Sequence, residues 1–407
     1  MTLLKHVARV RVSNVDKKTR DGEQAVRLCN YTDVYYGDVL SARADGYMLA
    51  TASLEQVRDF ALRAGDTLLT KDSETAEDIG VSAYIADGAD DFVCGYHLAI
   101  IRPDAARVDP RYLSWCLRSS AVRGVLASSA TGVTRYGLRT EALTNLDLVL
   151  PDRDDQASRA AFLDEQVPLL DATVAARRKQ AVLLIERQAS LIDETVDQLR
   201  SALPERPVKY LVTEVDERLG ACNEAPTLLS VSIHLGVIPR SQLTSKEPRA
   251  EDLAVYKRCR AGDIVLNRMR AFQGGVGVAR EDGVVSPDYA VLRPLPGVSS
   301  DWLHLLFRSR WFVSEMTSRL RGLGGVEQGA VRTPRINVAD LGLITVPDLP
   351  GPEQERYAAA LAGEHSWRST LGDLGVRQAA LIEERKTAVI DAVVMGVLDP
   401  RTARSVA

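Results

Sequence analysis

The sequence predicts an α+β protein in which two globular α/β blocks alternate with two long α-helices that pair as an antiparallel coiled coil. Two observations support this prediction. Short motifs of the first half return in the same order 190 to 198 positions later, so the chain contains an internal pseudo-two-fold repeat. Residues 155–199 contain no glycine and are rich in alanine, leucine, glutamate and arginine, which is typical of a long helix.

The repeat extends through most of the chain. The matching segments are 64–69 with 261–266, 97–103 with 288–294, 148–151 with 344–347, and 183–193 with 381–391. An ordered series at a nearly constant shift indicates a duplicated domain, because a solenoid unit would be far shorter. A duplicated chain suits a target with two similar half-sites.

The repeat also divides the chain into four blocks and a tail. The predicted globular blocks are residues 1–152 and 204–350, the predicted helices are 153–203 and 351–400, and the tail is 401–407. Inside the globular blocks, the pairs Gly65-Asp66 and Gly262-Asp263 mark turns into strands. Apolar spacing predicts one helix over residues 110–126 and a copy of it over 300–320.

Apolar residues at coiled-coil spacing predict the face on which the long helices pair. On the first helix they are Leu163, Val167, Leu170, Val174, Ile185, Ile192 and Val196, and on the second they are Leu371, Leu374, Leu381 and Val389. Pro168 is expected to kink or split the first helix, and the glycines of the second are expected to weaken it. A helix of about 45 residues is roughly 65 Å long, close to two turns of duplex DNA.

The composition argues against several classes of protein. The chain has 407 residues, a formal net charge of −4, 45% hydrophobic and 26% charged residues, as ordinary globular proteins do. It has no run of about 18 apolar residues and no recognisable secretory signal, so a cytoplasmic protein is expected. The five cysteines form no Cys-x-x-Cys pair, and no Gly-x-x-x-x-Gly-Lys-Ser/Thr motif occurs. Neither a metal site nor ATP hydrolysis is therefore expected.

Side chains suited to reading DNA bases cluster at two places in each block. The residues are Asn267, Arg268, Arg270 and Gln273, with Lys71 in the matching position, and then Thr134, Arg135 and Tyr136, matched by Gln328, Arg332 and Arg335. Arginine and lysine suit guanine, whereas asparagine and glutamine suit adenine. The alternative is that these are solvated loops whose arginines form surface ion pairs.

A family resemblance rests on two segments of the second block. Residues 260–275 read RAGDIVLNRMRAFQGG, and residues 283–294 read GVVSPDYAVLRP. They resemble a target recognition domain of the DNA specificity subunit of type I restriction-modification systems. The first block has a shorter version, and each block ends in a strand with proline, followed by Gln156 or Gln354 and a long helix. The resemblance covers nearly the whole chain in the family's order.

The resemblance implies a non-catalytic subunit whose two target recognition domains, residues 1–152 and 204–350, read a bipartite sequence in double-stranded DNA. It implies that the helices recruit two methyltransferase (modification) subunits and a restriction–translocation subunit, and that helix length sets the unread spacer. The chain itself would bind no cofactor, whereas the complex would use S-adenosylmethionine, ATP and Mg²⁺.

The start of the first helix departs from the family pattern. The family has Pro-Pro-Leu-x-Glu-Gln, whereas residues 151–156 read PDRDDQ. The detail of the joint between this block and its helix therefore does not follow from the resemblance.

Two functions of other classes stay open at this stage. A non-catalytic adaptor would use the helices for protein contacts without reading DNA. A methyltransferase is faintly suggested by Phe272-x-Gly274 followed by residues 286–289, which read SPDY. The few residues between these motifs leave no room for an intervening α/β unit, which disfavours the enzyme.

Overall fold

The structure, a computed structural model, describes residues 1–220, 226–233, 236–243, 253–320 and 335–403. The chain divides into two compact units: unit 1 is Met1–Arg178 with Arg377–Ala407, and unit 2 is Lys179–Val376. Each unit contains one mixed α/β block and part of both long helices. The predicted fold class is therefore confirmed.

Unit 1 is built around a five-stranded sheet. Its strands are β1 (Thr2–Leu3), β2 (Ala8–Val12), β3 (Gln24–Cys29), β4 (Val39–Ser41), β5 (Met48–Ala52), β6 (Thr67–Thr70), β7 (Asp72–Ser73), β8 (Ser82–Asp87), β9 (Phe92–Cys94), β10 (Leu98–Pro103), β11 (Tyr136–Gly137) and β12 (Asp147–Leu148). Its helices are α1 (Tyr31–Tyr36), α2 (Leu54–Phe60), α3 (Pro110–Arg118), α4 (Ser120–Ser129), α5 (Thr140–Thr144) and part of α6 (Arg153–Ala202). The main sheet has the order β2-β10-β6-β8-β4, beside β5-β3-β9, β1-β12 and β11-β7.

Unit 2 repeats the central part of this arrangement. Its strands are β13 (Glu205–Pro207), β14 (Val212–Val215), β15 (Leu229–Ser232), β16 (Gly236–Pro239), β17 (Lys257–Cys259), β18 (Ile264–Asn267), β19 (Val276–Val278), β20 (Gly283–Val285), β21 (Tyr289–Pro294) and β22 (Thr345–Pro347). The remaining helices are α7 (Ser300–Arg308), α8 (Arg310–Ser318), α9 (Val338–Gly342), α10 (Gly351–Val394) and α11 (Pro400–Ala403). The order β14-β21-β18-β19 matches β2-β10-β6-β8, and β13-β22 matches β1-β12.

A buried aspartate in each unit binds an arginine of the neighbouring core strand. In unit 1, Asp66 accepts hydrogen bonds from Arg102 Nε and Nη2 at 2.8 and 2.6 Å. In unit 2, Asp263 accepts the same two bonds from Arg293, both at 2.9 Å. Both aspartates are almost fully buried, so this two-bond geometry is what offsets the cost of taking a carboxylate out of water.

The same aspartates close the turns that lead into β6 and β18. Each accepts a hydrogen bond at 2.9 Å from the main-chain nitrogen three positions earlier, at Arg63 or Arg260. Gly65 and Gly262 have φ of +91° and +93°, a left-handed conformation that favours glycine. Turn closure and arginine binding together explain why both the Gly-Asp pair and the strand arginine recur in the two halves.

The helices expected over residues 110–126 and 300–320 are each broken, so the prediction of one continuous helix was wrong in both halves. Ser119 and Ser309 have extended backbones, with ψ of 148° and 146°, and separate α3 from α4 and α7 from α8. Each hydroxyl donates to the carbonyl three residues earlier and accepts from the main-chain nitrogen three residues later. The serine thus caps a new helix instead of extending the previous one.

A buried glutamine ties the start of each long helix to the block before it. Gln156 accepts a hydrogen bond from Asp109 N at 2.8 Å, and Gln354 accepts one from Ser299 N at 2.9 Å. Asp109 and Ser299 are the N-caps of α3 and α7. Each glutamine also donates to a carbonyl of the segment that precedes its own helix. The joint is therefore the same in both halves, although the sequence around Gln156 departs from the family pattern.

A carboxylate near the other end of each long helix binds the second helix of a block. In unit 1, Asp391 of α10 accepts from Ser120 N at 2.8 Å, at the start of α4. In unit 2, Asp193 of α6 accepts from Arg310 N at 2.7 Å, at the start of α8. Each acidic group lies where the N-terminal end of a helix favours negative charge. Each block is thus held by the helix that follows it and by the far end of the other helix.

The long helices pair antiparallel, as predicted. In unit 1, Lys386 Nζ of α10 lies 2.6 Å from Asp171 Oδ1 of α6, and Arg159 Nη1 donates to Val393 O at 3.1 Å. Higher numbers on α6 therefore meet lower numbers on α10. The helix α6 continues through Pro168, so the expected split does not occur. Proline costs one main-chain hydrogen bond, and burial of apolar side chains on either side offsets it.

The predicted pairing face is only partly correct. Leu163, Val167, Val174 and Val196 are buried, and Leu170, Ile192 and Val389 are half-buried, whereas Ile185, Leu371, Leu374 and Leu381 are 70%, 46%, 47% and 62% exposed. The prediction was wrong for these last four. On α10 the buried residues are Gln354, Ala358, Leu361, Gly372, Gly375, Ala379, Ile390, Val393 and Val394. Small residues allow close packing, so Gly372 and Gly375 lie inside, whereas Leu371, Leu374 and Leu381 lie outside.

Two expectations from composition concern membranes and thiols. None of the helices in the described ranges is long and apolar enough to cross a membrane. Cys29, Cys94, Cys116 and Cys259 are buried free thiols.

We predict that Asp263→Asn lowers the free energy of unfolding by about 2 kcal/mol, because it removes the buried two-bond carboxylate contact of Arg293 and weakens the turn before β18. Urea unfolding of the full chain measures the change. The matched control is Glu194→Gln in unit 2, whose ion pair with Arg187 is exposed on both sides and 2.7 Å long. It should change stability by less than about 0.5 kcal/mol. Equal effects of the two variants would contradict the role given to Asp263.

Candidate nucleic-acid interface

In unit 2 the two candidate segments meet at the end of β18. Arg268 follows the strand directly; its Nε donates to Ile336 O at 3.1 Å, and Ile336 N donates to Arg268 O at 3.1 Å. Arg335 Nη2 lies 3.8 Å from Met269 Sδ. Segments that are 68 positions apart in the sequence are therefore joined side by side.

Unit 1 joins the matching segments in the same way. Leu138 N donates to Lys71 O at 2.8 Å, the counterpart of the bond between Ile336 and Arg268. Beyond it, β7 pairs with β11, so Ser73 lies opposite Tyr136. We call the two regions the paired-loop surfaces: residues 71–78 with 131–138 in unit 1, and residues 267–275 with 335–336 in unit 2.

The predicted site residues of unit 2 differ in exposure. Asn267 is buried, and its Oδ1 accepts from Met269 N at 3.2 Å, so its amide closes the turn. Arg268 is half-buried, whereas Arg270 and Gln273 are exposed. Arg335 is exposed and lies 3.5 Å from Asp288. The predicted residues Gln328 and Arg332 lie outside the described residues.

The predicted residues of unit 1 lie together with charged partners. Thr134 and Arg135 are exposed, and Tyr136 is half-buried beside them. Lys71 Nζ and His97 Nδ1 each lie 2.8 Å from Asp72 Oδ2. Burial works against ionisation of Asp72, but hydrogen bonds from His97 and Lys71 outweigh it, so the pKa of this carboxyl is lowered. DNA contact by the predicted residues of both units stays a prediction.

The structure adds Tyr35 and Tyr36, two aromatic residues that the sequence prediction missed. Tyr35 of α1 donates from its hydroxyl to Asp78 at 2.7 Å, and this bond raises the pKa of the tyrosine. Tyr31 stacks on Tyr35 with ring centroids 5.5 Å apart, and Tyr36 is 83% exposed. Residues 31–36 read YTDVYY, and this density of tyrosine was the available signal. The helix α1 therefore borders the paired-loop surface of unit 1.

The described residues contain no group of three or more His, Cys, Asp or Glu side chains arranged to hold a metal ion. The chemistry of the paired-loop surfaces is hydrogen bonding and charge. Unit 2 presents arginine and amide donors, whereas unit 1 combines basic, acidic and tyrosine groups.

The chain shares its fold with solved proteins. No protein-family model matches it, and no curated protein matches it either. A chain from a structure of complex assembly and conformational transition of the type I R-M system is 17% identical, with a TM-score of 0.68 over 97% of this chain and 96% of that chain. The HsdS subunit from Thermoanaerobacter tengcongensis is 16% identical, with a TM-score of 0.56 over 98% and 96%. The fold is therefore that of a type I restriction-modification S subunit, as the sequence resemblance predicted.

We predict that Asp72→Asn lowers the free energy of unfolding by about 1 kcal/mol at neutral pH, since it removes the acceptor shared by Lys71 and His97. A lowered folded-state pKa stabilises the protein above the ordinary aspartate pKa, and the effect is lost as the pH falls through the lowered value. The difference between variant and parent should therefore disappear in acid. Urea unfolding across pH measures it, with Asp90→Asn on an exposed loop as the control. A difference independent of pH would contradict this account.

Proposed function

We propose that this chain is the DNA specificity subunit of a type I restriction-modification complex and reads a bipartite target in double-stranded DNA. The observation that carries the proposal is the duplicated paired-loop surface. Both units join the same two loops through the same main-chain bond, on a frame with the same buried Asp–Arg pair. The side chains on the two surfaces differ, which is what reading two different half-sites requires.

The charge of the unit 2 surface supports contact with a polyanion. From residue 264 to residue 279 the sequence has Arg268 and Arg270 and no acidic residue. A local basic surface serves DNA binding even in a chain with net charge −4. An adaptor that reads no DNA is the alternative, and it gives no reason for two matched polar surfaces with different side chains.

The long helices would recruit the partner subunits. In unit 2, α10 exposes Trp367, Leu371, Leu374 and Val376, and α6 exposes Val182, Leu183 and Ile185. Trp367, Leu371 and Leu374 lie at steps of four and three residues and so share one side of α10. Exposed apolar groups of this kind mark protein interfaces. We propose that methyltransferase subunits, two per chain, and a restriction–translocation subunit bind this chain, the former along the helices.

Catalysis would lie in those other chains. S-adenosylmethionine, ATP and Mg²⁺ would be used by the complex, and this chain would supply only sequence recognition. The length of the unread spacer, which the helices would set, stays a prediction.

Selection from random-sequence duplexes, with the methyltransferase partner present, tests the proposal. We expect enrichment of a split motif, and Arg268→Ala with Arg270→Ala should relax one half of it and leave the other half intact. The reason is that both arginines lie on the paired-loop surface of unit 2 alone. The charge-matched control is Arg280→Ala with Arg356→Ala, two exposed positions elsewhere in unit 2. Sequence-blind binding by the parent chain would refute DNA reading.

Recruitment can be tested separately from DNA reading. Leu371→Glu should reduce methyltransferase binding at least tenfold in a pull-down titration, because a carboxylate in an apolar interface is strongly disfavoured. It should leave the unfolding midpoint unchanged, since Leu371 is exposed in the free chain. Leu54→Glu, an exposed leucine at the start of α2, is the control and should bind normally. Normal binding by Leu371→Glu would rule out this side of α10 as the docking surface.

A further inference from the structure

The turn after β18 holds the main chain of Arg270 at three points. Arg270 N donates to Asn267 O at 2.9 Å, and Arg270 O accepts from Gln273 N at 3.0 Å and from Gly275 N at 2.9 Å. Asn267 is itself fixed, because it ends β18 opposite Tyr289 and is buried. Arg270 therefore stands on a turn whose base is part of the core sheet.

Gly275 packs directly against Arg270. A Cβ at position 275 would lie 2.8 Å from the main-chain oxygen of Arg270, and 3.1 Å from its carbonyl carbon and its Cβ. Real Cβ atoms do not approach main-chain oxygen closer than 3.0 Å, so any side chain at position 275 displaces Arg270. The turn thus depends on a glycine for its packing.

The three arginines of this surface differ in what their guanidinium groups bind. Arg268 donates to Ile336 O, and Arg335 lies 3.5 Å from Asp288. Arg270 is exposed, and within the described ranges its guanidinium has neither a hydrogen bond nor an ion pair. Arg270 on its fixed turn can therefore bind a ligand without breaking a bond to any described residue.

We infer that Arg270 is the side chain by which unit 2 selects a guanine, and that Arg268 and Gly275 are positioning residues that hold its turn. The inference rests on the proposed function. A guanidinium presents two N–H donors in one plane, which match the N7 and O6 acceptors of guanine in the major groove. A fixed main chain orients this fork before DNA arrives, so binding loses less conformational entropy.

The alternative contact for an exposed arginine is a phosphate, and the two contacts have different signatures. A base contact specifies one position, whereas a phosphate contact supports every sequence equally. Loss of a phosphate contact also reduces the salt dependence of binding by about one ion. Measuring the base preference and the salt dependence of binding together therefore distinguishes a base contact from a phosphate contact.

The test compares duplex selection by the parent chain and by Arg270→Ala, each with its methyltransferase partner. The parent should select guanine at one position of one half-site. Arg270→Ala should lose that preference by about tenfold, with all other positions and the salt dependence unchanged. Uniform weakening, with the guanine preference intact and a smaller salt dependence, would overturn the inference in favour of phosphate contact. A parent motif that Arg270→Ala leaves unaltered would overturn it as well.

The positioning residues have their own readouts. Gly275→Ala should lose preference at the same single position, and the double variant with Arg270→Ala should be no worse than either single variant, because both remove one contact. Arg268→Lys, which keeps a donor for Ile336 O, should retain the preference that Arg268→Ala weakens. Arg280→Ala is the control, and it should select the same DNA motif as the parent chain. If Gly275→Ala and Arg270→Ala instead gave additive losses of preference over several positions of the motif, Gly275 would not be a positioning residue for Arg270.

Unfolding midpoints distinguish a lost contact from a lost fold. Arg270 is exposed, so Arg270→Ala should unfold at the same urea concentration as the parent. If the parent chain selects no split motif, the proposed function fails. If the parent selects one that is indifferent to Arg270, only the assignment of Arg270 fails.

Discussion

The two-bond contact between a buried aspartate and a strand arginine is the interaction on which each unit depends. Asp66 with Arg102 joins β6 to β10, and Asp263 with Arg293 joins β18 to β21. The same carboxylates close the turns at the start of β6 and β18. A buried carboxylate that loses its partner is strongly destabilising, so this frame tolerates little change. The loops that leave the other ends of these strands differ between the units: Lys71 and Asp72 follow β6, whereas Arg268 and Arg270 follow β18.

The long helices are fixed to the blocks by polar side chains at their ends rather than by their apolar faces alone. Gln156 and Gln354 bind the N-caps of α3 and α7, while Asp391 and Asp193 bind the first turns of α4 and α8. Each unit therefore contains the start of one long helix and the end of the other. This arrangement places the two halves of the repeat in equivalent surroundings and leaves apolar side chains of the helices exposed.

The two paired-loop surfaces share the same main-chain frame but have different side chains. In unit 1, Asp72 binds Lys71 and His97, and tyrosines of α1 border the surface. In unit 2 the turn is glycine-rich and basic, and the guanidinium of Arg270 has neither a hydrogen bond nor an ion pair with a described residue. Because the main-chain bond that joins the loops is the same in both units, the side chains vary without moving the frame. That separation is suited to a protein that reads two unlike sequences with one architecture.

The sequence by itself determined the duplication, the fold class and the long helices, because these follow from periodicity and from motifs with local physical causes. It also identified which segments of each block carry polar side chains suited to DNA. Only the tertiary structure showed that these segments meet, that Asn267 closes a turn while Arg270 is exposed, and that α1 lies beside Asp78. It also decided which side of α10 is buried. A hydrophobic pattern predicts that leucine is buried before glycine. Close packing of the helices instead buries Gly372 and Gly375, so Leu371 and Leu374 face outward. Contacts across dozens of residues depend on packing geometry, which no local pattern encodes.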